Sequence, residues 1–180
     1  MGYEFSADEV FQMAEQIEIN GESFYREMSE KIPDSAIKRT LLDLAAMENE
    51  HRKIFARMRA ELSEGEREAS VFDPEGESAL YLRALADLRV FGEKAREDFE
   101  LSPGTEEEEK IRRILLAASG REKESIVFYT GMRDIVPKAH GRDRVDAIIR
   151  EEMKHLTLLA SKLAALKEKG TPSQRTGGSS

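Results

Sequence analysis

The stretch "MENEHRKIF", Met47 to Phe55, places a glutamate three residues before a histidine, and "REEMKHLTLL", Arg150 to Leu159, does so again. The chain has 3 histidines, and two of them are used in this way. On a helix, positions i and i+3 lie one turn apart and about 60° around the axis, so Glu48 can converge with His51, and Glu152 with His155. A single Glu-x-x-His in a Glu-rich chain is more often structural than functional. Its return calls for an explanation.

The explanation is an internal repeat. Displaced by 104 residues, the interval from Glu18 to Glu122, the two halves align without a gap. Ala14 meets Ala118, Phe24 meets Phe128, Tyr25 meets Tyr129, Met28 meets Met132, and Pro33 meets Pro137. Glu48 meets Glu152 and His51 meets His155, while exposed charged positions mostly differ. The shared content is a helix pair carrying one set of Glu, His and Tyr residues.

Helix-period patterning dominates the chain, and no convincing alternating strand appears. The pattern predicts a first helix from about Ser6 to Lys31, opened by the capping box "SADE" and stopped before Pro33. A second runs from about Ser35 to Leu62. A third opens at Pro103 or Thr105, where "TEEE" reads as another capping box, and continues to about Val136. A fourth runs from about Arg142 to Lys169 and stops at Gly170. Short joints make each pair antiparallel. The long connection between the pairs, with "ALYLRALADLRVF" as a short extra helix, carries the chain along the bundle. The expectation is all-α: a ferritin-like four-helix bundle with one long crossover, residues 1–170, and a disordered tail, residues 171–180, of linker composition.

The seams decide the chemistry. Phe11, Ala14, Glu18, Gly21, Tyr25 and Met28 recur at steps of three and four, as do Leu41, Leu44, Glu48, His51, Phe55 and Met58. The later helices repeat this with Leu115, Ala118, Glu122, Ser125, Tyr129 and Met132, and with Val145, Ile148, Glu152, His155 and Leu159. Four glutamates and two histidines therefore lie in stripes that face a core. Burying an uncompensated carboxylate costs several kcal/mol, and no Arg or Lys occupies these seam positions. Two divalent metal ions would neutralise four carboxylates, with the imidazoles as neutral donors. Glu18, Glu48, His51, Glu122, Glu152 and His155 are thus the candidate metal ligands, in the dimetal carboxylate arrangement that ferritin-like bundles provide. Tyr25 and Tyr129, almost two turns beyond Glu18 and Glu122, lie on the same face, where each phenol can donate to a ligand carboxylate across the core. Glu15, Glu22, Glu50, Glu124 and Glu151 read as surface charges, and the seam methionines as packing.

Composition narrows the classes. A net charge of −8 with 36% charged residues argues against nucleic-acid partners. With no cysteine, the chain has no disulfide, thiolate metal site or cysteine nucleophile, and a reducing cytoplasm suits it. No apolar run matches a membrane span, and "MGYEFSADEV" is no secretory leader. Gly2 and Ser6 fit a myristoylation pattern, but Ser6 reads better as a helix cap.

On "EINGESFY", "ENEH", "EKESIVFY" and "EEMKH", the sequence resembles the rubrerythrin family of the ferritin-like superfamily. The resemblance implies two Fe ions per chain bridged by Glu48 and Glu152. Glu18 and His51 would complete one shell, Glu122 and His155 the other. It implies oxidation of a diferrous site coupled to reduction of hydrogen peroxide or dioxygen, and a homodimer. Well-characterised members carry a further Glu three residues before the third-helix ligand; here that position is Ser119. They often carry a cysteine-ligated electron-delivery module as well, so electrons here would come from an external donor protein or from Fe(II). The competing readings are a ferroxidase or iron-handling protein, and a bundle holding Zn or Mn structurally.

Overall fold

The computed structural model describes residues 6–68, 80–81, 105–136 and 141–170. Four long helices, α1 Ala7–Glu30, α2 Ser35–Ala60, α4 Glu107–Ile135 and α5 Arg142–Gly170, form the bundle, with a short α3 at Glu64–Glu68. The ferritin-like four-helix architecture expected from the repeat is the one observed. Of the connection between α2 and α4, Leu80 and Tyr81 are helical, and the Tyr81 hydroxyl donates to the Val127 carbonyl of α4 at 3.1 Å. The rest of the expected extra helix, most of the crossover, His140 and the tail lie outside the described residues.

Local chemistry sets the helix ends. Ser6 caps α1 by accepting from the Glu9 amide at 3.2 Å, and Glu9 returns a bond to the Ser6 amide at 2.8 Å. Asp34 caps α2, its Oδ1 accepting from the amides of Ala36 and Ile37, both at 2.9 Å. α4 starts one residue later than a Thr105 cap predicts, with Glu106 in the N-cap position and making no side-chain cap bond. Glu107, Glu108 and Glu109 still supply negative charge at the positive end of the α4 dipole, and Glu109 pairs with Arg112 at 2.6 Å. Arg59, near the end of α2, clamps Asp8 at the start of α1 with bonds of 2.9 and 2.8 Å, fixing the antiparallel register of the first pair.

The apolar interior is divided in two. One cluster contains Val10, Phe11, Ala14, Phe55, Met58, Phe128, Tyr129, Met132, Val145 and Ile148. The other contains Phe24, Tyr25, Met28, Ile37, Leu41, Leu44, Ile114, Leu115, Ala118 and Leu159. The seam methionines Met28, Met58 and Met132 are fully packed within these clusters, as their spacing predicts. Along every seam, a glutamate lies between the two clusters.

Gly141 immediately precedes α5 with φ 102°, and its carbonyl accepts the amides of Arg144 and Val145. An added Cβ would lie 2.9 Å from Met58 Cε. Gly141→Ala should therefore lower unfolding free energy by about 1–2 kcal/mol through left-handed backbone strain and a displaced core methionine. Urea denaturation is the check; an unchanged midpoint would show that the turn relaxes freely.

Candidate metal centre

Each helix of the bundle contributes to one layer: Glu18 from α1, Glu48 and His51 from α2, Glu122 from α4, and Glu152 and His155 from α5. All six are buried, Glu18 and Glu152 at 0% exposure. No Lys or Arg is buried among the described residues. Leu44 and Leu159 on one side and Phe55 and Ile148 on the other pack against the layer.

The donor atoms converge. One group joins Glu18, Glu48, His51 and Glu152; a second joins Glu48, Glu122, Glu152 and His155. In each group the candidate ligand atoms all lie within 4.8 Å of one another. Glu48 and Glu152 belong to both. His51 Nδ1 lies 2.8 Å from Glu152 Oε1 and 3.8 Å from Glu18 Oε2. His155 Nδ1 lies 3.3 Å from Glu152 Oε2, 3.5 Å from Glu122 Oε2 and 4.0 Å from Glu48 Oε1. The two imidazoles stack with centroids 5.7 Å apart.

Seven buried side-chain atoms lack a well-formed hydrogen bond among the described residues, and six of them are in this layer: Glu18 Oε2, His51 Nδ1, Glu122 Oε2, both Glu152 oxygens and His155 Nδ1. Buried polar groups are normally satisfied, so six orphans aimed at one centre mark a place for cations. The donor set, carboxylate oxygen with imidazole nitrogen, suits a first-row divalent metal.

Without a cation, protons must balance the charge. Burial pushes the Glu18 carboxyl well above the usual range, and the charges of Glu48 and Glu152 add to the effect. Burial likewise raises Glu122 strongly, and it raises Glu48. Glu152 goes the other way: burial opposes ionisation, but its close contacts with Glu122, His155 and His51 outweigh it and hold the carboxyl low. Burial would lower both histidines. Contacts with Glu152 and Glu151 nevertheless raise His51, and contacts with Glu122 and Glu152 bring His155 to about 10.

The tyrosines complete the layer crosswise. Tyr25 donates to Glu122 Oε1, and Tyr129 donates to Glu18 Oε1 at 2.6 Å, each phenol serving the glutamate of the other half. Burial and the neighbouring carboxylates push both phenols well up, so they remain donors.

The Rubrerythrin family profile matches residues 9–163, which span all four long helices and the whole layer. The chain belongs to the rubrerythrin family. A crystal structure from Thermotoga maritima, described as a ferritin-like diiron-carboxylate protein, superposes with a TM-score of 0.64. The match covers 91% of this chain and 98% of that one at 22% identity, so the likeness is one of fold. No curated protein matches the sequence. Among the described residues, no helix is long and apolar enough to cross a membrane.

Seen as a rubrerythrin-family bundle, the chain brings together all eight residues singled out by the repeat. Glu50 is exposed and paired with Lys53 at 2.7 Å, as a surface charge should be. Glu151 corrects the expectation. It is half exposed, yet its Oε2 lies 2.8 Å from His51 Nε2, on the far side of the ring from the centre. Glu124 is also no simple surface charge: it is partly buried, and desolvation raises its carboxyl. Ser119 does not face the centre as a ligand; its hydroxyl donates to the Leu115 carbonyl at 2.8 Å.

Between α1 and α4 a narrow pocket, about 20 Å³, reaches the layer at Glu48 and Glu122, walled by Asn20, Gly21, Tyr25, Glu124 and Ser125. That is room for roughly one water-sized molecule. Gly21 sits in mid-helix, where glycine costs about 1 kcal/mol relative to alanine. Its value is space: a Cβ there would lie 3.0 Å from Glu48 Oε2. Gly21→Ala should leave the metal-free protein as stable or slightly more so, and weaken metal binding several-fold by crowding Glu48. Thermal melts and chelator-competition titrations separate the two effects; unchanged affinity would show that Glu48 yields without cost.

Proposed function

We propose that this chain is a di-iron oxidoreductase that reduces hydrogen peroxide or dioxygen. The observation that carries the reading is the pair of overlapping donor groups sharing Glu48 and Glu152. Glu18 and His51 would complete one iron's set, and Glu122 and His155 the other's. The diiron-carboxylate description of the Thermotoga protein, together with family membership, favours iron over zinc or manganese.

Two Fe(II) ions, each giving one electron, supply the two electrons that peroxide reduction to water requires. The chain's own residues do the rest. Four carboxylates match the charge of two divalent ions, so the loaded layer approaches neutrality inside an apolar bundle. Shared Glu48 and Glu152 hold the two positions close together. Tyr25 and Tyr129 fix the outer oxygens of Glu122 and Glu18, which keeps each unshared carboxylate turned toward its own position. The pocket beside Gly21 and Ser125 admits a molecule of about water size and excludes bulky substrates. Tyr25 lines it and holds a phenolic proton at the inner end, where oxygen reduction consumes protons. With no cysteine in the chain, the electrons that restore Fe(II) come from an external donor protein or from Fe(II) itself.

One observation favours a second reading, oxidation and handling of iron without peroxide turnover. Ser119 stands where a further carboxylate would serve ligand exchange, and its hydroxyl is committed to the backbone. Anaerobic loading with Fe(II) should give about two irons per chain, with visible absorption on oxidation, and Glu122→Ala should lose about one. Rapid mixing of the diferrous protein with peroxide should oxidise it faster than dioxygen does; the reverse order would favour iron handling. Stoichiometric zinc in colourless protein grown with ample iron would contradict both.

A further inference from the structure

The two halves of the centre match residue for residue as far as the six donors and two phenols. Behind the histidines the match fails. Glu151 on α5 backs His51, its Oε2 2.8 Å from Nε2. The equivalent residue of the other half is Met47, the partner of Glu151 in the repeat, and its Sδ lies 3.0 Å from His155 Nε2. One ring is therefore backed by an anionic oxygen and the other by a thioether.

We propose that Glu151 and Met47 make the two metal positions unequal, the one on His51 binding its ion more tightly than the one on His155. The inference rests on the ligand assignment above. Both rings turn Nδ1 toward the centre. A neutral imidazole that ligates through Nδ1 carries its proton on Nε2. From His51 that proton is donated to a carboxylate, a charge-assisted bond that fixes the ring and makes Nδ1 a stronger donor. From His155 it meets a sulfur, among the weakest acceptors in proteins. Each position otherwise has one unshared glutamate steadied by a tyrosine, one histidine, and the shared pair Glu48 and Glu152. The backing residue is the difference within the donor shells, and outer partners of ligating histidines change metal affinity by roughly 10–100-fold. The ion held by His155 is then the exchangeable one. Glu151 and Met47 act here as positioning residues.

The residues suit a direct test, because Glu151 and Met47 are 51% and 40% exposed and their substitution leaves the core intact. Cobalt(II), which reports on its site through visible bands, serves as the probe in the full-length, metal-free protein, with circular dichroism melts to verify folding. The unaltered chain should bind in two steps whose affinities differ by about tenfold or more. Glu151→Met should bring the tighter step down to the weaker one. Met47→Glu should bring the weaker step up to the tighter one, whereas a general effect of added surface charge would move both together. Two equal steps in the unaltered chain, or steps that stay apart in both variants, would overturn the inference and leave the metal centre standing. No cobalt binding at all would overturn the ligand assignment, and this inference with it.

Discussion

A layer of four buried carboxylates, with no buried Lys or Arg among the described residues, is the constraint on which the rest of this structure depends. Such a layer is unstable as an all-ionised site, and in the metal-free protein protons on Glu18, Glu122 and the histidines must offset its charge. The bundle is organised around that problem. Two apolar clusters hold the helices together on either side, and each helix gives up one or two seam positions to the layer. The crossed tyrosine bonds then lock α1 to α4 through the glutamates they serve. Stability and metal chemistry are here consequences of the same burial.

Near two-fold equivalence gives the layer two overlapping donor groups, because each half supplies one unshared glutamate, one histidine and one shared carboxylate. Departures from equivalence give it direction. Gly21 opposite Ser125 opens space beside Glu48, and Met47 opposite Glu151 distinguishes the two imidazoles. A site built from a repeat thus carries two like donor groups in unlike surroundings.

Much of this was legible in the sequence because helical spacing and the repeat constrain the same residues twice. Glu48 rather than Glu50 follows from register, and the structure buries the one and exposes the other. The crossed pairing of Tyr25 with Glu122 was foreseeable only as a donor to some carboxylate across the core, since spacing along one helix does not say which helix lies opposite. Glu151 escaped for a related reason. It lies beside the seam, where half exposure is normal, and its contact depends on reaching a ring on another helix. The start of α4 lies one residue past a Thr105 cap because a run of acids offers several equivalent capping registers, and side-chain chemistry alone does not choose among them.

Anomalous diffraction from crystals of the iron-loaded protein, collected on both sides of the iron edge, tests the central claim most directly. The account predicts two iron peaks in the layer, one contacted by Glu18 and His51, the other by Glu122 and His155, with Glu48 and Glu152 contacting both. A single peak, peaks that persist only at the zinc edge, or metal bound away from this layer would contradict it.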